Sequence, residues 1–412
     1  MTLPRGRRWL RAPLGLAALA VAATLTAPSG RVQHASAAAP PYDLIYLGTL
    51  GGASSANAIN QRGWVVGESD LPGGDHHAFW TDGAPGSAPT LLDMGTLGGT
   101  DGSATGLNDT KVVGYSRTSS ADTHPFRTSV TVMIRPADDL GTLGAGTFSY
   151  AYGINATGQV VGYSKTSSGD YHAFRTRADE AITPATDDLG TLGGAESGAS
   201  GINAAGQVVG YSTTSGGAYH AFRTRADEPI TLATDDLGTL GGTSSYASGI
   251  NAAGQVVGQS RTSSGAEHAF RTRAGEPIDG ATDDLGTLGG TTSYAGGINA
   301  AGQVVGSSTT SSGATHAFLF GDGAGLRDLN DLIPSGTGWV LTSANAVNDA
   351  GQIAGQGAFN GQPRAFLLTP HLAAPTATPT AVPTATPTAV PTATPTAPPS
   401  ATPTAAPSAT PT

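Results

Sequence analysis

Between residues 42 and 370 short apolar runs alternate with small and polar positions, and the alternation repeats on one period. The copy at 244–288 shows it. Residues 246–251 (YASGIN) are small and then apolar. Residues 252–254 (AAG) form a turn, with Gly254 suited to a left-handed position that closes a hairpin. Residues 255–260 (QVVGQS) carry β-branched side chains, and 261–266 (RTSSGA) form a polar loop. Residues 267–271 (EHAFR) alternate, with His268 and Phe270 on one face and Ala269 and Arg271 on the other. A longer polar connection containing Pro277 leads to 284–288 (DLGTL) and then Gly289-Gly290. The pattern predicts four short strands per copy.

Three markers count the copies. An Asn follows an apolar residue at Asn60, Asn108, Asn155, Asn203, Asn251, Asn299 and Asn348, at intervals of 47 to 49 residues. A His-Ala-Phe triplet ends at Phe79, Phe126, Phe174, Phe222, Phe270, Phe318 and Phe366. LGTLGG recurs at the same spacing and decays near Leu329. Seven four-stranded units of about 48 residues predict an all-β fold, a seven-bladed β-propeller over 42–370 with 28 strands. The repeat region opens with the last strand of a unit (42–50) and ends with the first three strands of one (341–368), so strand exchange would close the ring and remove an open edge. The LGTL strand is then outermost. The strand ending at the marker Asn is innermost, which suits its Ala, Ser and Gly. The Phe and Val-Val positions of the middle strands fill the space between blades.

The flanks are different material. Residues 1–37 combine a basic start (Arg5, Arg7, Arg8, Arg11), a 12-residue apolar run at 14–25 and Ala35-Ser36-Ala37, the order of a secretory signal peptide. Twelve residues at 1.5 Å each fall short of a hydrocarbon core of about 30 Å, so no membrane insertion is expected after cleavage. Residues 373–412 hold 11 Pro and 13 Thr with no charge, and read as a disordered polyproline stalk reaching on the order of 120 Å. The formal net charge is −10; without the five arginines before Asp43, 15 basic residues face 30 acidic ones, a net of −15. Such a body repels phosphate backbones and excludes nucleic acid as a partner. The absence of cysteine excludes disulfides and thiolate chemistry.

DLGTLGG, the G-I-N-x-x-G-Q-V-V-G stretch and the closing triplet, recurring in fixed order over nearly all of 43–368, resemble the bacterial extracellular His-Ala-Phe (HAF) repeat family. Pro125 in place of Ala, Arg364 in place of His and 352–355 (QIAG) in place of QVVG depart from the pattern. The resemblance implies secretion and a repeat fold, and implies no reaction.

The residues carry no catalytic motif. His77, His124, His172, His220, His268 and His316 read as structural, each bonding a neighbouring loop. Asp75, His76 and His77 are adjacent on one strand and point to alternate faces, so they do not make a shared metal site. The paired acids Asp138-Asp139, Asp187-Asp188, Asp235-Asp236 and Asp283-Asp284 lack the spacing of a calcium loop and read as solvated strand starts. No cofactor and no metal are implied. The near-identity of units three to six favours repeated shallow binding on the face carrying LGGTSS and RTSSGAE. The candidate ligand face is Asp75, His76, Ser244, Ser245, Ser263, Ser264, Thr292, Ser311 and Ser312. The expectation is a monomeric secreted or cell-surface module that binds extracellular glycan or a surface protein without catalysis. The alternatives are a polysaccharide lyase or hydrolase using Trp64, Trp80, His76 or Trp339 of the divergent units, and a passive spacer. Export predicts a mature chain that begins at Ala38; N-terminal sequencing of the secreted protein checks this, and an intact residue 1–37 segment contradicts it.

Overall fold

In six of the seven copies the second strand reads Val-Val-Gly, in the last Ile-Ala-Gly, and the glycine is a steric requirement. A Cβ on Gly258 would lie 2.0 Å from the carbonyl oxygen of Tyr246, and one on Gly306 would lie 2.0 Å from that of Tyr294. The second strand therefore presses directly onto the inner one. A computed structural model describes residues 41–82, 90–144 and 147–371; the expected leader and stalk lie outside these. The described residues form 24 strands and four helical turns of three or four residues, an all-β fold.

The model copy shows the unit. Gly241–Ile250 pairs antiparallel with Val256–Thr262, which pairs antiparallel with Glu267–Arg271. Gly254 takes φ +80°, the left-handed turn position expected of it. The remaining copies repeat the arrangement. Neighbouring units touch through parallel bridges such as Glu267 with Thr292 and Thr123 with Phe148. At the chain's two described ends, Tyr42–Gly48 pairs antiparallel with Gln362–Pro370 and becomes the outer strand of the sheet containing Ile353–Phe359 and Trp339–Val347.

The fourth strand departs from the expected 28. It is a strand at Tyr42–Gly48, Leu92–Gly95 and Gly325–Asp328, but in four units it shrinks to one bridge, Phe126 with Asp139, Phe174 with Asp188, Phe222 with Asp236 and Phe270 with Asp284. The cause is local. In these four units a tight turn ends on the residue before the aspartate, at Asp138, Asp187, Asp235 and Asp283, so no extended residues precede the bridge. After it the aspartate carboxylate takes a glycine N–H, at Gly95 of the four-residue strand as at Gly141, Gly190, Gly238 and Gly286.

The core lies between units. All seven triplet phenylalanines are fully buried, as are the paired valines of units one to six. Phe222 of one unit packs with Val161, Leu192 and Val208, drawn from its own unit and the one before it. Phe270 repeats this with Val209, Leu240 and Val256. Removing Phe270 opens a cavity between two units, so Phe270→Ala is expected to cost about 3–5 kcal/mol. Exposed Ser264→Ala is expected to stay within about 0.5 kcal/mol. Denaturant unfolding of the two variants checks the contrast, and equal effects contradict this packing.

Candidate functional site

Among near-identical copies, the positions that differ carry the information. Two stand out. The residue after Val-Val-Gly is Glu68, Tyr115, Tyr163, Tyr211, Gln259, Ser307 or, after Ile-Ala-Gly in the last copy, Gln356. The residue two before the apolar position of the inner strand is Asn57, Thr105, Tyr152, Ser200, Ser248, Gly296 or Asn345.

The second set sits on β-bulges. In every unit the register skips this residue: Ala247 pairs Gly258 and Gly249 pairs Val257, leaving Ser248 unpaired, and Ala151 pairs Gly162 and Gly153 pairs Val161, leaving Tyr152 unpaired. A bulge bends the strand and re-aims the odd side chain. Here it turns toward the adjacent unit. Asn57 Nδ2 donates to Ala104 O (3.0 Å), Thr105 Oγ1 to Ala151 O (2.8 Å), Ser248 Oγ to Ala295 O (2.6 Å) and Asn345 Nδ2 to Ala56 O (2.8 Å).

Beside these bonds the inner strands of all seven units line one space, the channel, with glycine, alanine and aliphatic side chains, Ile202, Ile250 and Ile298 among them. At one end the marker asparagines form its rim, where Asn60 and Asn108 also border a pocket of about 380 Å³. Each donates its Nδ2 to the backbone carbonyl of the next: Asn60 to Asn108, Asn108 to Asn155, Asn155 to Asn203, Asn203 to Asn251, Asn251 to Asn299, Asn299 to Asn348 and Asn348 back to Asn60, over 2.9–3.3 Å. Their Oδ1 atoms accept from their own hairpins, Asn251 from the N–H groups of Ala253 and Gln255. These amides are spent on the scaffold.

The other end opens as a cavity of about 570 Å³. Its walls are Tyr115, Tyr152, Tyr211 and Tyr246, with Asn57, Ser103, Thr105, Ser200, Ser248 and Gln259 between them and Glu68 at one side. The rings support one another. Tyr115 meets Tyr150 at 4.9 Å edge to face, and Tyr150 and Tyr152 lie 5.0 and 5.8 Å from Tyr163. Tyr246 lies 5.6 Å from Tyr211 and stacks on Tyr219 at 5.7 Å. Burial, with neighbouring phenols and Glu196, pushes the Tyr211 hydroxyl up to about 12. Burial and then Glu68 raise Tyr115, and burial raises Tyr152 above the ordinary phenol range. The hydroxyls stay protonated at neutral pH and act as hydrogen-bonding groups. Glu68 is the one carboxylate among the lining residues, so the mouth lacks the carboxylate pair of an ordinary glycoside hydrolase.

This mouth was not among the candidate residues. The variability of two positions across near-identical copies was the available signal. The bulge that turns the second set inward is invisible to simple alternation. The candidate face itself divides. Ser263, Ser264, Ser311 and Ser312 are exposed, with Ser264 and Ser312 bonded to Thr262 and Thr310 within their own turns. Ser244 and Thr292 are half-buried. Ser245 is fully buried: its Oγ donates to Gly238 O and accepts the N–H of Ala221 in the preceding unit, so it is a structural link and offers nothing to a ligand. Asp75 and His76 are exposed, and His76 Nδ1 lies 2.6 Å from Asp70. None of the nine lines the mouth. The distinctive residues of the divergent units also stay apart from it. Trp64 meets Trp80 at 5.8 Å, and Trp339 stacks on Phe359 beside Tyr46.

The paired acids are not solvated strand starts. Asp187, Asp235 and Asp283 are buried and accept the N–H groups of Thr183, Thr231 and Asp279, closing single turns. The second acid of each pair holds the repeat histidine: His124 Nδ1 to Asp139 at 2.7 Å, His172 to Asp188, His220 to Asp236 and His268 to Asp284 at 2.8–2.9 Å. Asp93 and Asp328 serve His77 and His316 likewise. In the last unit both partners change together. Arg364 replaces the histidine and donates to Gly52 O, and Tyr46 occupies the acid's place. No cluster of metal-ligating side chains occurs among the described residues. Nor is any described helix long and apolar enough to cross a membrane.

No family model matches the chain, and no curated protein sequence matches it. Among solved structures it is similar to the BP39L lectin from Burkholderia pseudomallei, at 10% identity and a TM-score of 0.38 over 77% of this chain and 98% of that one. The Aleuria aurantia lectin, solved with Fucα1-6GlcNAc, is 12% identical at a TM-score of 0.33, over 65% of this chain and 94% of its own. The Trypanosoma rangeli sialidase, solved with 2,3-difluoro-KDN, is 9% identical at a TM-score of 0.36, over 77% of this chain and 53% of its own. Likeness at this level bears on neither ligand nor reaction.

Two of the histidine pairs set a pH window. The bond from Asp139 and the bond from Asp188 raise His124 and His172 above 6.5. Burial opposes ionisation of Asp139 and Asp188, but the histidine and glycine N–H bonds outweigh it and hold both below 3.8. The raised histidines contribute stability below their unfolded value, lost as pH rises through the folded one. The lowered acids contribute above theirs, lost as pH falls through the folded one. The His124–Asp139 and His172–Asp188 pairs therefore stabilise most between about pH 4 and 6.5. Unfolding midpoints of wild type and His172→Gln across pH 3–9 check this. The gap between them should peak in that window; a gap independent of pH contradicts the pairing.

Proposed function

We propose that the chain is a secreted or cell-surface seven-bladed β-propeller, of the His-Ala-Phe repeat type, that binds glycan without catalysis in the tyrosine-lined mouth of its central channel. The outer strand that Tyr42–Gly48 lends to the last sheet and the asparagine circuit that returns from Asn348 to Asn60 support a ring closed by strand exchange. The single observation that carries the binding role is the mouth itself. Four tyrosines alternate with hydroxyl and amide side chains around one concave space. A sugar ring presents C–H groups on its faces and hydroxyls at its edge. Tyrosine offers an apolar face and a polar tip at low conformational cost, Ser200 and Gln259 offer donors and acceptors, and Thr105 and Ser248, whose hydroxyls donate to the next unit, offer acceptor lone pairs. The cavity falls in the size range of small-ligand sites.

The enzymatic alternative gains less support. The phenols are held protonated, one carboxylate faces the space, and the divergent-unit tryptophans lie elsewhere. A glycan array probed with the full chain tests the reading. Binding to a polysaccharide class is expected, and Tyr152→Ala or Tyr211→Ala should weaken it by about 5- to 30-fold, with Tyr→Phe at the same positions losing less. Binding that survives both alanine substitutions, or no glycan bound at all, overturns the proposal.

A further inference from the structure

We infer that the mouth takes one uncharged glycan per ring and rejects acidic ones; this rests on the glycan-binding reading above. The stoichiometry follows from asymmetry. The lining side chains come from the first five units and from none of the last two. At the position after the repeated glycine the aromatic residues fall in units two to four, as Tyr115, Tyr163 and Tyr211. The corresponding residues of the sixth and seventh units are Ser307 and Gln356, and the sixth bulge carries Gly296. Near-identical outer loops surround this lopsided pocket, so the mouth offers one site in place of seven equivalent ones.

The charge preference follows from which ionisable groups face the pocket. Glu68 lines it, and no arginine, lysine or histidine does. Two residues further along the same strands, Arg117 and Arg261 are tied to Asp101 (3.1 Å) and Glu267 (3.4 Å). Lys165 at that level is outnumbered by Asp70 and by Glu196, whose carboxylate accepts the Tyr219 hydroxyl at 2.7 Å. A uronate entering here meets Glu68 with no cation to offset it, inside a chain whose net charge is −10. A neutral sugar meets the same carboxylate as a hydrogen-bond acceptor.

The test is calorimetric titration of the full chain with two length-matched panels. One holds neutral oligomers of glucose, galactose, mannose and N-acetylglucosamine; the other holds oligomers of glucuronate, galacturonate and mannuronate. At least one neutral oligomer is expected to bind at one per chain, and uronates of the same length about tenfold or more weaker at low salt. Added salt should narrow the difference, and Glu68→Gln should narrow it further. Uronates binding as well as or better than neutral oligomers, a ratio indifferent to Glu68→Gln, or several equivalent sites per chain would overturn the inference while leaving glycan binding standing. If no oligomer of either panel binds, the underlying glycan reading falls with it.

Discussion

The structure depends on seven asparagine side chains. Each does two things at once: its Oδ1 accepts from the N–H groups that close its own hairpin, and its Nδ2 donates to the next unit's asparagine carbonyl. A single such bond is worth about 1 kcal/mol net. The larger effect is the penalty for leaving any of these buried amides unpaired, which ties the turn of one unit to the position of its neighbour. Because the circuit returns from Asn348 to Asn60, no unit can shift alone. That constraint brings the inner strands together, and it explains why they carry Gly, Ala and Ser. A Cβ on Gly296 would stand 2.7 Å from the carbonyl oxygen of Ala344 in the next unit.

On this frame scaffold and site are separated by position. The Phe and Val residues buried between units and the glycine beneath the inner carbonyl hardly vary among copies, since each meets the same neighbours. The residue after Val-Val-Gly and the bulge residue vary from copy to copy, although Asn57, Thr105, Ser248 and Asn345 also bond the adjacent unit's backbone. They converge on the channel mouth. The histidine–aspartate pairs belong to the scaffold, fastening the third strand to the turn that follows it.

Much of the scaffold was legible before any coordinates. The period, the all-β class, the left-handed Gly254 and the structural role of the repeat histidines all follow from spacing and turn chemistry. Three things were not. The outer LGTL segment carries strand-forming residues, yet a turn that closes from Asp283 N–H to Asp279 O directly before Asp284 leaves one bridge of the ladder. Ser245 lies in a Ser/Thr-rich stretch that looks like surface, but it is drawn into the interior by the N–H of Ala221, which no local pattern reveals. The mouth was hidden because a one-residue bulge reverses the side on which Tyr152 and Ser248 project, while alternation alone assigns them the wrong face.

The two described ends of the repeat region meet in one sheet, and the bond from Asn348 back to Asn60 depends on that meeting. The chain contains no cysteine, so an introduced pair reports cleanly. Asp43 and Thr369 face each other across the closing strands. The most direct measurement is oxidation of the Asp43→Cys/Thr369→Cys double variant, read by non-reducing electrophoresis and peptide mass mapping. Closure predicts a disulfide within one chain, formed rapidly in the folded protein, because facing residues on antiparallel strands lie within bridging distance. Thiols that stay reduced, or that link only between chains, would contradict it.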